Sequence, residues 1–170
     1  MTNAIFSLKS SVLDPPYDYD FTYLKDDGSV FKRGGMEYIR PYGWRRIALN
    51  VKNKYRTDDW LGCYGYEGEW AVSYHGTSKE AAEEISRTKY DLSKGKKFTF
   101  GVGIYSSPDP KIAEHYARSF EYEGKLYKVI LQNRVDMHST KHIKAKNFFL
   151  TIAEDDIRPY AILFKKVKVF

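Results

Sequence analysis

A single cysteine, Cys63, stands in the 170 residues of this chain. An internal disulfide is therefore excluded, and a reducing compartment is the default reading. No run approaches the roughly 18 apolar residues that a membrane-spanning helix needs. The N-terminal residues Met1 to Lys9 lack a basic segment followed by an apolar one, so no secretory signal is expected. The expectation is a cytoplasmic protein, or one delivered to a host cytosol without a cleaved signal, with no membrane partner. Histidine is also scarce, at four. His138 and His142 have i, i+4 spacing, but the stretch between them is loop-like and no third ligand is evident, so no metal site is expected. Gly101-Val102-Gly103 lacks the third glycine of a dinucleotide fingerprint, and its helix starts after Tyr105, which excludes a Rossmann reading. Cys63, His75 and an aspartate make no thiol-hydrolase triad, since Gly62-Cys63-Tyr64 has no nucleophile signature; a partly buried, inert thiol is expected.

What is abundant is aromatic and basic. Fifteen Tyr, ten Phe and three Trp exceed what a core of this size requires and leave rings for binding surfaces. The net charge of +6 favours acidic or phosphate-bearing partners. The densest basic clusters, Lys94-Gly95-Lys96-Lys97 and Lys141 to Lys146, read as loops, and no nucleic-acid fold signature accompanies them, so a nucleic-acid partner is not expected. With 42% hydrophobic and 29% charged residues the chain is long enough, and apolar enough, for one folded domain.

Residues 1–36 read as an irregular N-terminal arm, punctuated by Pro15-Pro16, Asp26-Asp27-Gly28 and Gly34-Gly35. A hairpin across Asp27-Gly28 fits the flanking aromatics. The remaining 37–170 read as the domain proper. Trp44 to Val51 and Trp70 to His75 are expected strands. A helix from Ser78 to about Lys89 is expected, with Thr77 as N-cap and Glu80 completing a capping box. Asp109-Pro110 starts a second helix whose inner face carries Ile112, Ala113, Tyr116, Ala117 and Phe120. Leu126 to Val135 and Tyr160 to Phe164 are late strands, the second apolar on both faces as a central strand is, before Lys165 to Val169 alternates out to an edge. Ile-Arg-Pro-Tyr occurs at 39–42 and 157–160, too short a match to be a repeat. The order of elements predicts an α+β fold on antiparallel sheets with two short helices.

Two strand-to-helix corners carry the chemistry. One is Tyr74-His75-Gly76-Thr77. The other is Gly101-Val102-Gly103-Ile104-Tyr105, followed by a helix with Tyr116 eleven positions after Tyr105. Together they form a clamp for a flat aromatic group. Tyrosine faces attract a cationic ring, and glycine lets a backbone approach an amide.

Over roughly residues 70–165 this pattern resembles the catalytic domain of poly(ADP-ribose) polymerases and of their relatives that attach one ADP-ribose. The resemblance implies a split antiparallel β-sandwich of the ADP-ribosyltransferase type with NAD+ in its cleft. It assigns cofactor binding to His75, Gly76, Thr77, Tyr105 and Tyr116, with His75 on a ribose, the Gly76 backbone on the carboxamide and the two tyrosines against the nicotinamide. Two departures stand out. The serine usual three residues before the helical tyrosine is Ala113. The glutamate usual before the late-strand tyrosine is Pro159, if Tyr160 is that tyrosine. The nearest acids, Glu154, Asp155 and Asp156, lie just upstream, which leaves two alternatives: a register shift that lets Glu154 or Asp156 serve beside His75 and Tyr105, or a missing third catalytic residue. Loss of the glutamate disfavours chain elongation and favours single transfer to a protein side chain. A weaker likeness, to transferases that modify ubiquitin, makes ubiquitin a candidate acceptor with the first 60 or so residues as its recognition part. The rival reading is a catalytically inactive module of the same fold that binds a protein or an ADP-ribose-bearing ligand. A third, an RNA-end phosphotransferase, would need a set of phosphate-binding arginines that Arg45, Arg46, Arg118 and Arg134 do not visibly form.

Overall fold

The computed structural model describes residues 5–95 and 99–168. Met1 to Ala4, Lys96 and Lys97 of the first basic cluster, and Val169 of the expected edge lie outside the described residues. In chain order the elements are β1 (Tyr19–Asp20), β2 (Phe31–Arg33), β3 (Met36–Tyr38), β4 (Arg45–Ala48), β5 (Ala71–Gly76), α1 (Lys79–Arg87), β6 (Ile104–Ser106), α2 (Pro110–Glu114), β7 (Ser119–Tyr122), β8 (Lys125–Val135), β9 (Thr140–Ile143), β10 (Phe148–Thr151) and β11 (Ile157–Lys166). Among the described residues every strand pairing is antiparallel, and two α-helices with a few 3₁₀ turns accompany the sheets, an α+β architecture. No helix among the described residues is long and apolar enough to cross a membrane.

The main sheet runs β1-β4-β11-β8-β5, and the long β8 also pairs with β7 along its first half. Its two central strands are buried on both faces because each face is covered. Leu131 and Ile162 pack with Ala82 of α1, while Ile130 and Leu163 pack with Ala113 of α2. Removing such a side chain, for example Leu131→Ala, costs about 2–5 kcal/mol. The strand expected at 160–164 is thus central, and it is longer than its apolar run. Pro159 cannot donate to the ladder, and the register shifts between Pro159 and Ala161, so Tyr160 is a bulge residue.

A second, three-stranded sheet, β6-β10-β9, joins the first through Tyr74 and Ser107, which exchange backbone hydrogen bonds of 2.7 and 2.9 Å. Half of the basic stretch Lys141 to Lys146, expected as a loop, is strand β9, and β10 was not expected at all. The turn between them closes on Asn147 with φ of 53°.

Three local expectations are corrected. The early hairpin is β2–β3 and turns at Gly34-Gly35, where φ is 59° and 76°. At Asp26-Asp27-Gly28 the two carboxylates instead accept from the amides of Gly28 and Ser29, each 2.9 Å, a local turn that leaves no ladder to form. The cap of α1 is Ser78, whose hydroxyl accepts from the Ala81 amide at 3.1 Å, in place of Thr77. Helix α2 ends at Glu114, so Tyr116 lies in the turn that follows it, Ala117 just after that turn, and Phe120 on β7.

Residues 5–36 are irregular yet sewn into the domain. Phe6 is buried against Phe120 and Phe164, Leu13 bridges to Leu49, and β1 extends the main sheet beside β4.

Candidate functional site

Where β5 ends, the chain leaves the core of the sheet and its last two residues are only partly buried. A cavity of about 770 Å³ opens there. Its walls come from the end of β5, from α1 with the segment 89–95, from β6 and the loop before it, from the end of α2 and the turn after it, and from Phe148 at the start of β10. The size is that of a typical small-ligand site.

His75 faces this cavity with its protonation fixed. Its Nδ1 lies 2.6 Å from the Tyr105 carbonyl. A carbonyl only accepts, so Nδ1 carries the proton and donates. Burial lowers the histidine's pKa below the ordinary value, partly opposed by that hydrogen bond. The ring is therefore neutral at pH 7, with a lone pair left on Nε2 that can accept from a sugar hydroxyl. Tyr90 meets the ring edge-on at 5.3 Å, and its own hydroxyl donates to Asn133 at 2.7 Å, which holds the imidazole from behind.

Gly76 is required by packing as well as by any ligand. A Cβ built on it would stand 2.0 Å from the Ala113 carbonyl oxygen and 2.7 Å from the Ala117 amide nitrogen. The absence of a side chain lets the end of α2 and the turn after it cross the strand end, and that crossing delivers Tyr116 to the cavity rim. Asp109 starts the helix as expected, accepting from the Lys111 amide at 2.9 Å with Pro110 behind it.

Tyr105 is anchored by its hydroxyl, which donates to the Gly101 carbonyl at 2.6 Å and accepts from the Phe100 amide at 2.8 Å. The ring is a rigid wall rather than a mobile side chain. Tyr116, by contrast, is 58% exposed. The two tyrosines are linked by a residue that the sequence reading missed: Phe148 meets Tyr116 at 5.9 Å, Tyr105 at 6.4 Å and Phe100 at 6.4 Å, edge to face in each case. The signal for it was present in the run Phe148-Phe149-Leu150-Thr151, aromatic and β-branched directly after a turn residue.

The structure thus brings His75, Gly76, Thr77, Tyr105 and Tyr116 to one cavity. It does not bring Glu154 or Asp156 there. Glu154 accepts from the Leu92 amide at 3.0 Å, and neighbouring Asp155 accepts from Lys89 at 3.0 Å. These acids fasten the 89–92 wall from outside the cavity. Asp156 accepts from the Ser139 hydroxyl at 2.7 Å on the far side of the same turn. The register of β11 explains the miss: Pro159 is already paired opposite Asn133, so no shift carries the upstream acids forward onto the strand. The carboxylates that do line the cavity are Glu80, Glu84 and Asp91. Glu84 is shared between Arg87 and Lys94, and Asp91 caps the following turn through Ser93. Ala113 is buried against Val72 and Tyr74, and its methyl group offers no hydrogen bond to the cavity.

Cys63 is exposed on a Gly-rich loop, not partly buried as expected, and lies away from this cavity. No protein-family model matches this chain, and no curated protein matches it.

Proposed function

We propose that the chain is an NAD+-dependent mono-ADP-ribosyltransferase of the ADP-ribosyltransferase fold, acting on a protein side chain. One observation carries the reading: His75, neutral through burial, donates Nδ1–H to the Tyr105 carbonyl at the mouth of a cavity walled by Tyr105, Tyr116 and Phe148, which leaves Nε2 as an acceptor. The residues present suit NAD+. The cavity has room for it, the neutral Nε2 suits a ribose hydroxyl, the rings suit nicotinamide, and the partly exposed Gly76 backbone suits the carboxamide. NAD+ supplies an activated glycosidic bond, whose cleavage releases nicotinamide and joins ribose C1′ to the acceptor's nucleophile with loss of its proton.

In this reading His75 orients the ribose, and the rigid Tyr105 ring holds the leaving group in one pose, an entropic contribution to rate. Tyr116, exposed and unanchored, closes over the opposite ring face, where a tyrosine and a cationic ring attract by about 0.5–2 kcal/mol. Pro159 in place of a carboxylate leaves no acid to activate a ribose hydroxyl of a previous unit, which favours one transfer over elongation. Ubiquitin stands among the candidate acceptors.

The experiment is intact-mass analysis of candidate acceptors, ubiquitin included, incubated with isotopically labelled NAD+. The expected product carries one labelled ADP-ribose, and His75→Ala and Tyr105→Ala each abolish it. Absence of any labelled acceptor across a whole lysate, with NAD+ binding intact, would shift the conclusion to a second reading. In that reading the fold is a catalytically silent module that binds a protein or an ADP-ribose-bearing ligand. The engagement of Glu154 and Asp156 outside the cavity favours it.

A further inference from the structure

A second cavity, of about 690 Å³, opens beside the central sheet between the early arm, β4, the 58–66 loop and the bulge of β11. It draws on side chains for which the first cavity has no use. Arg134 is 3% exposed and lies at its floor. Its terminal nitrogens donate to the carbonyls of Trp60, Leu61, Gly62 and Trp70, between 2.8 and 3.3 Å, and its buried Nε has no partner. Arg33, Arg46 and Lys52 line the same space. Among the described residues, none of these four cations forms an ion pair. A buried guanidinium balanced only by carbonyls is an unneutralised charge, and such a site attracts an anion.

Two hydroxyls sharpen the point. Tyr38 accepts from Gln132 at 3.4 Å, and the Arg134 guanidinium lies 5.4 Å from the Tyr160 ring centre. Neither phenol donates to a protein acceptor among the described residues. Burial pushes the Tyr160 phenol well up, so it remains an O–H donor throughout the working pH range. Arg46 spends Nε and one terminal nitrogen on the Tyr17 carbonyl, at 3.3 and 3.0 Å, and keeps the other free. Tyr38, Tyr160 and Arg46, each with a donor that no protein acceptor takes among the described residues, therefore line one space together with the unneutralised charge of Arg134.

The remaining wall indicates what the anion is attached to. The volume far exceeds that of one tetrahedral oxyanion. Tyr17 and Tyr66, 67% and 59% exposed, stand at the mouth and offer faces to a base. Asp14, Asp58 and Asp59 also line the cavity. Asp58 already accepts from the Asn53 amide at 3.1 Å, and the other two suit sugar hydroxyls while opposing any more extended polyanion.

We infer that this second cavity binds a nucleoside monophosphate or a closely similar organic phosphate, phosphate end inward. The site is distinct from the His75 cavity, and its occupancy does not depend on that cavity's function.

Cys63 is the sole cysteine, is exposed, and lines this cavity with its sulfur 3.6 Å from Arg134. Its rate of reaction with a thiol reagent therefore reads occupancy directly. Millimolar AMP is expected to slow labelling in wild type and equally in His75→Ala, with inorganic phosphate protecting about tenfold less well at equal concentration. The double variant Tyr38→Phe, Tyr160→Phe removes the donors while keeping the rings, and should weaken AMP by about tenfold or more. If that variant does not fold by circular dichroism, Lys52→Gln, at an exposed position, reads the same site with about a threefold loss. The inference is overturned if AMP leaves the labelling rate unchanged, if inorganic phosphate protects as well as AMP, if His75→Ala loses the protection, or if the folded donor variant is protected like wild type.

Discussion

Replacing Gly76 with alanine perturbs the contact on which the geometry of the first cavity depends. The new methyl would sit 2.0 Å from the Ala113 carbonyl oxygen, 2.7 Å from the Ala117 nitrogen and 2.8 Å from the Tyr116 carbonyl carbon. All three are backbone atoms, so no rotamer change relieves them and the end of α2 with the turn after it must move. Overpacking of this kind costs about 1–3 kcal/mol, and unyielding backbone puts Gly76→Ala at the upper end. Stiffening the unfolded chain returns about 0.4–1 kcal/mol. The net loss is about 2 kcal/mol, which in a chain of this size lowers the melting temperature by about 4–8 °C. Because the displaced turn carries Tyr116, NAD+ affinity should fall with stability. The assay is thermal unfolding with and without NAD+. A melting temperature within about 1 °C of wild type would refute the packing argument, and the role of Gly76 would then rest on ligand contact alone.

Three further outcomes are expected. Tyr116→Ala should leave stability within about 0.5 kcal/mol, because the ring is largely exposed, yet weaken NAD+ binding about tenfold; calorimetry and a melting curve on the same sample separate the two. Glu154→Gln keeps an oxygen for the Leu92 amide, and Asp156→Asn keeps one for Ser139, so both should retain at least half of wild-type transfer; a loss of about a hundredfold in either would show that acid to be catalytic. Burial lowers the pKa of His75 from its ordinary 6.5, so below that value the unfolded chain takes up the proton first. Stability is then full above about pH 6.5, falls as the pH drops, and levels off below the folded-state pKa. A stability–pH curve for His75→Gln should lack that step.

The sequence carried the local chemistry of the site and little of its tertiary assembly. Tyr74-His75-Gly76-Thr77 and Gly-x-Gly-Ile-Tyr are dense in residues with narrow conformational roles, so the end of β5, the short β6 and the Asp109-Pro110 start of α2 could be read directly. The end of α2 could not. Its apolar spacing continues through Tyr116 and Ala117 to Phe120, but the Arg118 amide is claimed by the Thr77 carbonyl at 3.1 Å and the chain departs into β7. Phe148 was missed because its strand is only four residues long and preceded by lysines, features that read as loop without the neighbouring β6 and β9. Glu154 and Asp156 drew attention by proximity along the chain, whereas the bulge at Tyr160 and the pairing of Pro159 fix where that chain turns. Long-range pairing decided each of these cases, and no window of adjacent residues contains it.

The most direct test of the central claim is calorimetric titration of the purified protein with NAD+, repeated with His75→Ala. One binding site is expected in wild type, with the affinity of His75→Ala reduced about tenfold or more by loss of the ribose acceptor. Wild type that takes up no NAD+ at millimolar concentration, or His75→Ala that binds as wild type does, would contradict that claim.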